Sequence, residues 1–305
     1  MSTCAQQSED AFITFLAARG STKWMIATDW CIRDDTRHND AFAFTIFPYD
    51  AEFAAIQADI NKTLPKDIKN VKVVDGDMAR LLKSDRRFTF CFIPRRDRRL
   101  FADLATAQKG MDYTIGMMKA WIDADKHTTI IREMEALRQE MQAKNFNIKL
   151  LEDIVLTAVF VGFIASLIAK HSKPEIIGWF PDRDKITQAY RSIANTLSSI
   201  NFSAFCQQHD ITHANAQIVI GIPDATDTTN GLWFDPLIRI PDYIAGAVAA
   251  YDLETNQVDG KNPKFLQIIE EVIADTYTIK LIRLVCNDTE LYASRIGISK
   301  TKQPE

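Results

Sequence analysis

Cysteine is sparse in this chain and never paired by spacing. Cys4, Cys31, Cys91, Cys206 and Cys286 are scattered over 305 residues, odd in number and without a CxxC. That speaks against a disulfide framework or a zinc knuckle and suits reduced thiols. Positive charge is scarce as well. The 36 Lys and Arg face 40 Asp and Glu, for a formal net charge of -4. Coating nucleic acid by bulk charge is thereby excluded, although a local basic groove is not. No GxxxxGK[ST], GxGxxG or GxSxG occurs, so the usual nucleotide and hydrolase signatures are missing. There is no internal repeat. The longest apolar run, Ile154 to Ala169, falls short of the roughly 20 residues of a membrane span. Glu152 and Asp153 precede it and Lys170 and His171 follow. A helix apolar on all sides is expected at the centre of a fold, so no membrane is expected as a partner. The first residues, MSTCAQQSEDAF, carry acids and no basic-then-apolar leader, and a cytoplasmic protein is expected.

What is present describes a globular chain, 47% hydrophobic and 25% charged. Ser8-Glu9-Asp10 opens a helix that Gly20 closes. Strands are predicted near 23–29 and 41–47, with Pro48 ending the second. A helix follows from Ala51 to Leu64, and Val71 to Val74 reads as short and extended. Phe88 to Ile93 is a stronger strand stopped by Pro94. Helical spacing fills 100–122, 128–144 and 148–170. After it come a strand at 175–180, a helix at 185–207 and a strand at 216–222. A loop rich in Asp, Thr and Asn leads to a last core strand, Leu237 to Ile240. Pro241 suits the first position of the next helix. A helix at 263–275 and a strand at 277–285 close the chain, and Lys300 to Glu305 reads as a tail.

Strands alternating with helices imply parallel neighbours, and three early strands with short connections imply an antiparallel start. The expected fold class is α/β, a ribonuclease-H-like mixed sheet with a helical insertion before the fourth strand. It is read as a single domain over 1–305, with the insertion at about 100–171 and a C-terminal helix-strand extension at about 260–290.

In that topology an acid on the first strand lies beside the end of the fourth, and a late helix supplies another. Asp29 ends the first strand, Asp182 follows the fourth, and Asp242 heads the late helix. Converging carboxylates suit hard divalent ions, Mg²⁺ or Mn²⁺, and phosphodiester hydrolysis. Each acid also has a plain structural reading. Asp29 could bond its own turn. Asp182 or Asp184 could cap the helix near Lys185, Asp184 more naturally. Asp242 in a first turn would favour the helix dipole. Arg95, Arg96, Arg98 and Arg99 follow a strand and suit phosphate, or else pair internally with acids such as Asp97.

The run IPDYIAGAVA resembles the closing motif of a prokaryotic, ribonuclease-H-like group, the domain of unknown function 3800 family. The resemblance covers roughly Lys23 to Leu253. It implies a metal-dependent nuclease with Asp29, Asp182 and Asp242 as both catalytic and metal-binding residues. Where that family has Asp-Glu-Ser-Gly, this chain has Asp29-Trp30-Cys31-Ile32. A replacement ligand is sought among Asp34, Asp35, Glu152 and Asp153. The same substitution supports a second reading, a catalytically degenerate module that binds nucleic acid. A protein partner or a second copy would then use the helical insertion.

Overall fold

The computed structural model describes residues 3–120, 124–211, 217–220, 232–258, 262–286 and 291–300. One mixed seven-stranded sheet runs through it in the order β5-β4-β1-β2-β3-β8-β9. Its strands are β1 Lys23–Cys31, β2 Ala41–Pro48, β3 Phe88–Pro94, β4 Ile176–Pro181, β5 Gln217–Ile220, β8 Ile279–Cys286 and β9 Leu291–Ile296; a short separate hairpin holds β6 Tyr251–Asp252 and β7 Gln257–Val258. The strand β2 is antiparallel to both β1 and β3, whereas β4 is parallel to β1 and to β5. The extension adds β8 parallel to β3 and β9 antiparallel at the edge. Thus β1, β3 and β4 all end on one edge of the sheet.

Alternation along each strand sorts the side chains onto two faces. Trp24, Ile26, Phe42, Phe44, Phe90, Phe92 and Trp179 face the helices α1 (Thr3–Arg19), α6 (Ile148–Ser172) and α7 (Lys185–Gln208). Met25, Ala27, Ala43, Phe47, Cys91 and Leu281 face α2 (Phe53–Thr63), α3 (Gly76–Leu82), α8 (Asp235–Ala250) and α9 (Pro263–Ile268). Asp29 continues the second set. The insertion holds α4 (Leu104–Lys119), α5 (Thr128–Glu140) and α6.

The helix α6 is 25 residues long, long and apolar enough to cross a membrane. Protein covers it instead: 78% of its most apolar window is buried. Phe160 stacks on Phe92 at 4.1 Å between ring centroids and meets Phe42 and Phe44 edge-on. On its other side Gly162 lets α7 approach so closely that an added Cβ would lie 2.7 Å from Asn201 Cβ and from the Phe202 backbone nitrogen. Gly162→Ala is therefore expected to cost about 1–3 kcal/mol by overpacking. A lowered denaturant midpoint with an unchanged slope would report it.

Four sequence expectations change. Val71 to Val74 forms no strand; it links a 3₁₀ turn, Ile68–Asn70, to α3, which was not foreseen. Leu237 to Ile240 is not a strand, because the helix α8 already starts at Asp235 with Pro236 in its first turn. Pro241 lies inside that helix, so Asp242 sits well past the first turn and the helix-dipole account of it fails. Finally, the 263–275 helix is α-helical over Pro263–Ile268 and π-helical over Ile269–Ile273. The loop before α8 and the tail from Thr301 lie outside the described residues, and Lys300 is tied down by Asp275 and Glu271.

Candidate active site

Asp29 reaches the sheet edge because β1 is apolar up to Thr28 and buried on both sides. Its register sets it opposite Ala43 on β2. The carboxylate accepts the Trp30 backbone N–H at 2.7 Å; contrary to expectation Asp29 does not end the strand, because pairing with β2 carries β1 on to Cys31. Asp182 follows β4 directly. Its backbone N–H donates to the Thr28 carbonyl at 3.0 Å, which docks it beside Asp29. Its side chain has no hydrogen-bond or ion-pair partner among the described residues. Asp242 descends from α8, which crosses β1 and β2. It accepts the Ile68 backbone N–H at 3.3 Å.

All three acids line one cleft of about 700 Å³. Its field acts on Asp29 and Asp242. Burial pushes the Asp29 carboxyl well above the usual carboxylate range, and the charges of Asp242 and Asp182 push it further, against the Trp30 N–H. Asp242 is pushed up to about 6 by burial, against the Ile68 N–H, with Asp67 and Asp182 adding repulsion. Carboxylates that repel one another in a partly dry cleft favour a cation or a shared proton.

Asp184 is the cap that its position suggested. Its side chain accepts Ile186 N–H at 2.7 Å and completes a capping box with Thr187. The Trp30 indole N–H donates to its other oxygen at 2.6 Å. Trp30, one residue past Asp29, therefore turns to the opposite face of β1 and is spent on the α7 cap.

Other lining residues were not legible as site residues. Asp67, Lys66 and Lys69 come from the segment after α2; Asp235 and Arg239 come from α8, and Arg183 follows Asp182. The segment is held by three long-range bonds, two from α8 and one from α9: Arg239 Nη1 to the Leu64 carbonyl at 2.8 Å, Tyr243 Oη to the Pro65 carbonyl at 3.3 Å, and Lys264 Nζ of α9 to the Ile68 carbonyl at 2.7 Å. Arg183 pairs with Asp235 at 3.2 Å. The only sequence hint was Asp67, which accepts Lys69 N–H as a turn-capping acid.

The arginine cluster lies elsewhere. Arg96, Arg98 and Arg99 line a second cavity of about 510 Å³ with Arg33, Lys149 and Glu152. Arg98 is buried and bonds Asp40 and, at 2.6 Å, Asp153 on α6. Arg95 closes on Asp97, and Arg96 on Asp35 and the Asp34 and Arg37 carbonyls. Only Arg99, exposed, has no ion-pair partner among the described residues. The replacement ligands expected near Asp29 are engaged here too: Asp153 with Arg33 and Arg98, Glu152 with the Leu100 N–H, and Asp34 with Arg37.

No family model, curated protein or solved structure matches the chain. The site is therefore judged on its donor chemistry. Asp29, Asp182 and Asp242 are carboxylates, the donor type of Mg²⁺ and Mn²⁺ rather than of zinc or copper. Among the described residues no three His, Cys, Asp or Glu side chains are already gathered as a ligand set. The acids share a cleft and a field, and a cation would have to draw them together.

Proposed function

We propose that the chain is a divalent-metal-dependent nuclease on a ribonuclease-H-like fold. The observation that carries this reading is the meeting of Asp29, Asp182 and Asp242 in one cleft from three elements distant in sequence. The strand order β5-β4-β1-β2-β3, with β4 and β5 parallel to β1, supports the fold assignment.

Asp29, Asp182 and Asp242 would hold Mg²⁺ or Mn²⁺. When bound, the ion supplies Lewis acidity toward a phosphodiester and offsets the carboxylates' mutual repulsion. The chain's own groups do the rest. Asp182 offers an unspent carboxylate, while Asp29 and Asp242 are oriented by single backbone N–H bonds that leave oxygens open. Lys66 and Lys69, exposed at the rim, place ammonium groups where phosphates would pass. Arg99 and its neighbours lie at the other cavity, and a steering role for Arg95, Arg96, Arg98 and Arg99 would act there.

A second reading, a catalytically degenerate nucleic-acid-binding or protein-interaction module, is favoured by one specific observation. Trp30 fills the position of the resembling family's glutamate and is committed to Asp184. A cleavage panel of single- and double-stranded DNA and RNA in Mg²⁺ or Mn²⁺ separates the two. Metal-dependent cleavage abolished by Asp182→Asn is expected. Binding without cleavage would leave the second reading standing.

A further inference from the structure

One feature of the cleft has no part in holding a cation. Trp233 lines it and is 56% exposed. The indole is nevertheless fixed. Phe180, Phe234 and Phe53 meet it at 5.2, 5.6 and 6.3 Å between centroids, with interplanar angles of 72°, 88° and 71°. Its backbone carbonyl accepts Gln57 Nε2–H at 2.8 Å. Near-perpendicular contacts hold the ring while the residue stays more than half exposed. Tyr49, 50% exposed, extends the row beyond the cleft through Phe53 at 4.9 Å.

The cations stand at the other end of the same wall. The helix α2 carries Phe53 and Gln57 beside Trp233, and Lys66 and Lys69 follow its Leu64 cap. From Gln57 to Leu64 the helical rise is about 10 Å. A stacked strand advances about 3.4 Å per phosphate, so the wall matches about three nucleotides. Exposed rings followed by ammonium groups that have no ion pair among the described residues are the elements of a single-strand groove, in which bases stack on aromatics and the backbone tracks positive charge. A duplex offers no free base face to such a ring.

We infer that the cleft takes single-stranded nucleic acid, with Trp233 stacking an unpaired base while Lys66 and Lys69 hold phosphates that lead to the carboxylates. This inference rests on the nuclease reading for the role of the carboxylates but not for the stacking itself. Trp233 is here a specificity residue.

The test separates the two. The full chain carrying Asp29→Asn is titrated in Ca²⁺ with single-stranded and duplex oligonucleotides of equal length. Anisotropy of a labelled strand and tryptophan emission are both read. Single strands are expected to quench the emission saturably and to bind about tenfold tighter than duplex. Trp233→Ala should lose the quench and about tenfold in affinity, in keeping with the stacking energy of one base. Trp233→Phe should keep most of the affinity. Equal affinity for both forms, or Trp233→Ala binding like the parent, overturns the inference. Saturable quenching by single strands with no cleavage in the panel above would sink the nuclease reading and uphold the stacking. Cleavage indifferent to strandedness and to Trp233 would do the opposite. No binding of any oligonucleotide, with a protein ligand found instead, overturns both.

Discussion

Asparagine in place of Asp29 should remove metal-dependent cleavage and, in metal-free buffer, make the fold more stable. The two effects have one cause. Asp29 sits where burial and the charges of Asp242 and Asp182 disfavour its ionised form. A carboxyl whose folded pKa is raised holds its proton in the native state after the unfolded chain has released it. Stability is therefore full below the ordinary carboxylate range and is lost as pH rises through the raised value. For Asp242 that window runs from about 4 to about 6. At neutral pH both acids then strain the fold, and Asp29→Asn should recover on the order of 0.5–2 kcal/mol, as relief of an unfavourable functional site commonly does. A bound cation would relieve the same strain. Mg²⁺ or Mn²⁺ should thus raise the melting temperature of the parent, more at pH 7 than at pH 5, and should do so less for Asp29→Asn. Cleavage should fall more than about 100-fold, beyond what groups merely supporting a metal ligand contribute. Because Glu9, Asp34, Asp97, Asp103 and Asp252 have lowered pKa and slope the other way, the comparison is with the variant: a parent that gains stability relative to Asp29→Asn from pH 4 to 7 without metal would contradict the sign. So would cleavage that survives the substitution.

Arg98→Ala should be the most destabilising single change at the sheet edge. Its guanidinium is buried between Asp40 and Asp153, which are themselves 1% and 2% exposed. Removing it leaves two buried carboxylates, with Arg33 still beside Asp153 and Arg96 3.8 Å from Asp40. Breaking a buried pair in this way typically costs about 3–5 kcal/mol, a large part of the roughly 5–15 kcal/mol that holds an ordinary domain. Arg99→Ala, one position on and exposed, should change stability by less than about 0.5 kcal/mol. Urea unfolding of the two variants measures the contrast. Adding Asp40→Asn and Asp153→Asn to Arg98→Met should recover part of the loss, because the orphaned charges go with the partner. Equal effects of Arg98 and Arg99 would mean that the buried network contributes little.

The contrast within that cluster illustrates what local sequence can carry. Arg95, Arg96, Arg98 and Arg99 look alike in the chain, and either phosphate binding or internal pairing could be read from them. The partners that divide them lie far away, Asp40 and Asp153 being 58 and 55 residues from Arg98. The cap at Asp184 was legible because Asp-x-x-Thr before a helix is a local device. Leu237 to Ile240 misled for the reverse reason. A four-residue apolar run does not distinguish a strand from a buried helical turn, and Pro241 suits a helix start although Asp235 and Pro236 had already begun the helix.

Sequence alone determined the elements of the sheet edge: a β1 whose apolar run gives way to Asp29, a strand that stops before Asp182, and a core helix around Ile154 to Ala169. These follow from periodicity and from where polar residues interrupt it, which are properties of neighbours along the chain. Tertiary structure alone decided that Asp242 comes down over Asp29, and that Asp67, Lys66, Lys69 and Trp233 border the same cleft. It also decided that Trp30, which borders the cleft as well, gives its indole N–H to Asp184. Desolvation and Coulomb repulsion depend on distance through space, not on separation in sequence. A carboxylate's character in this site was therefore set by residues some 150 to 210 positions away.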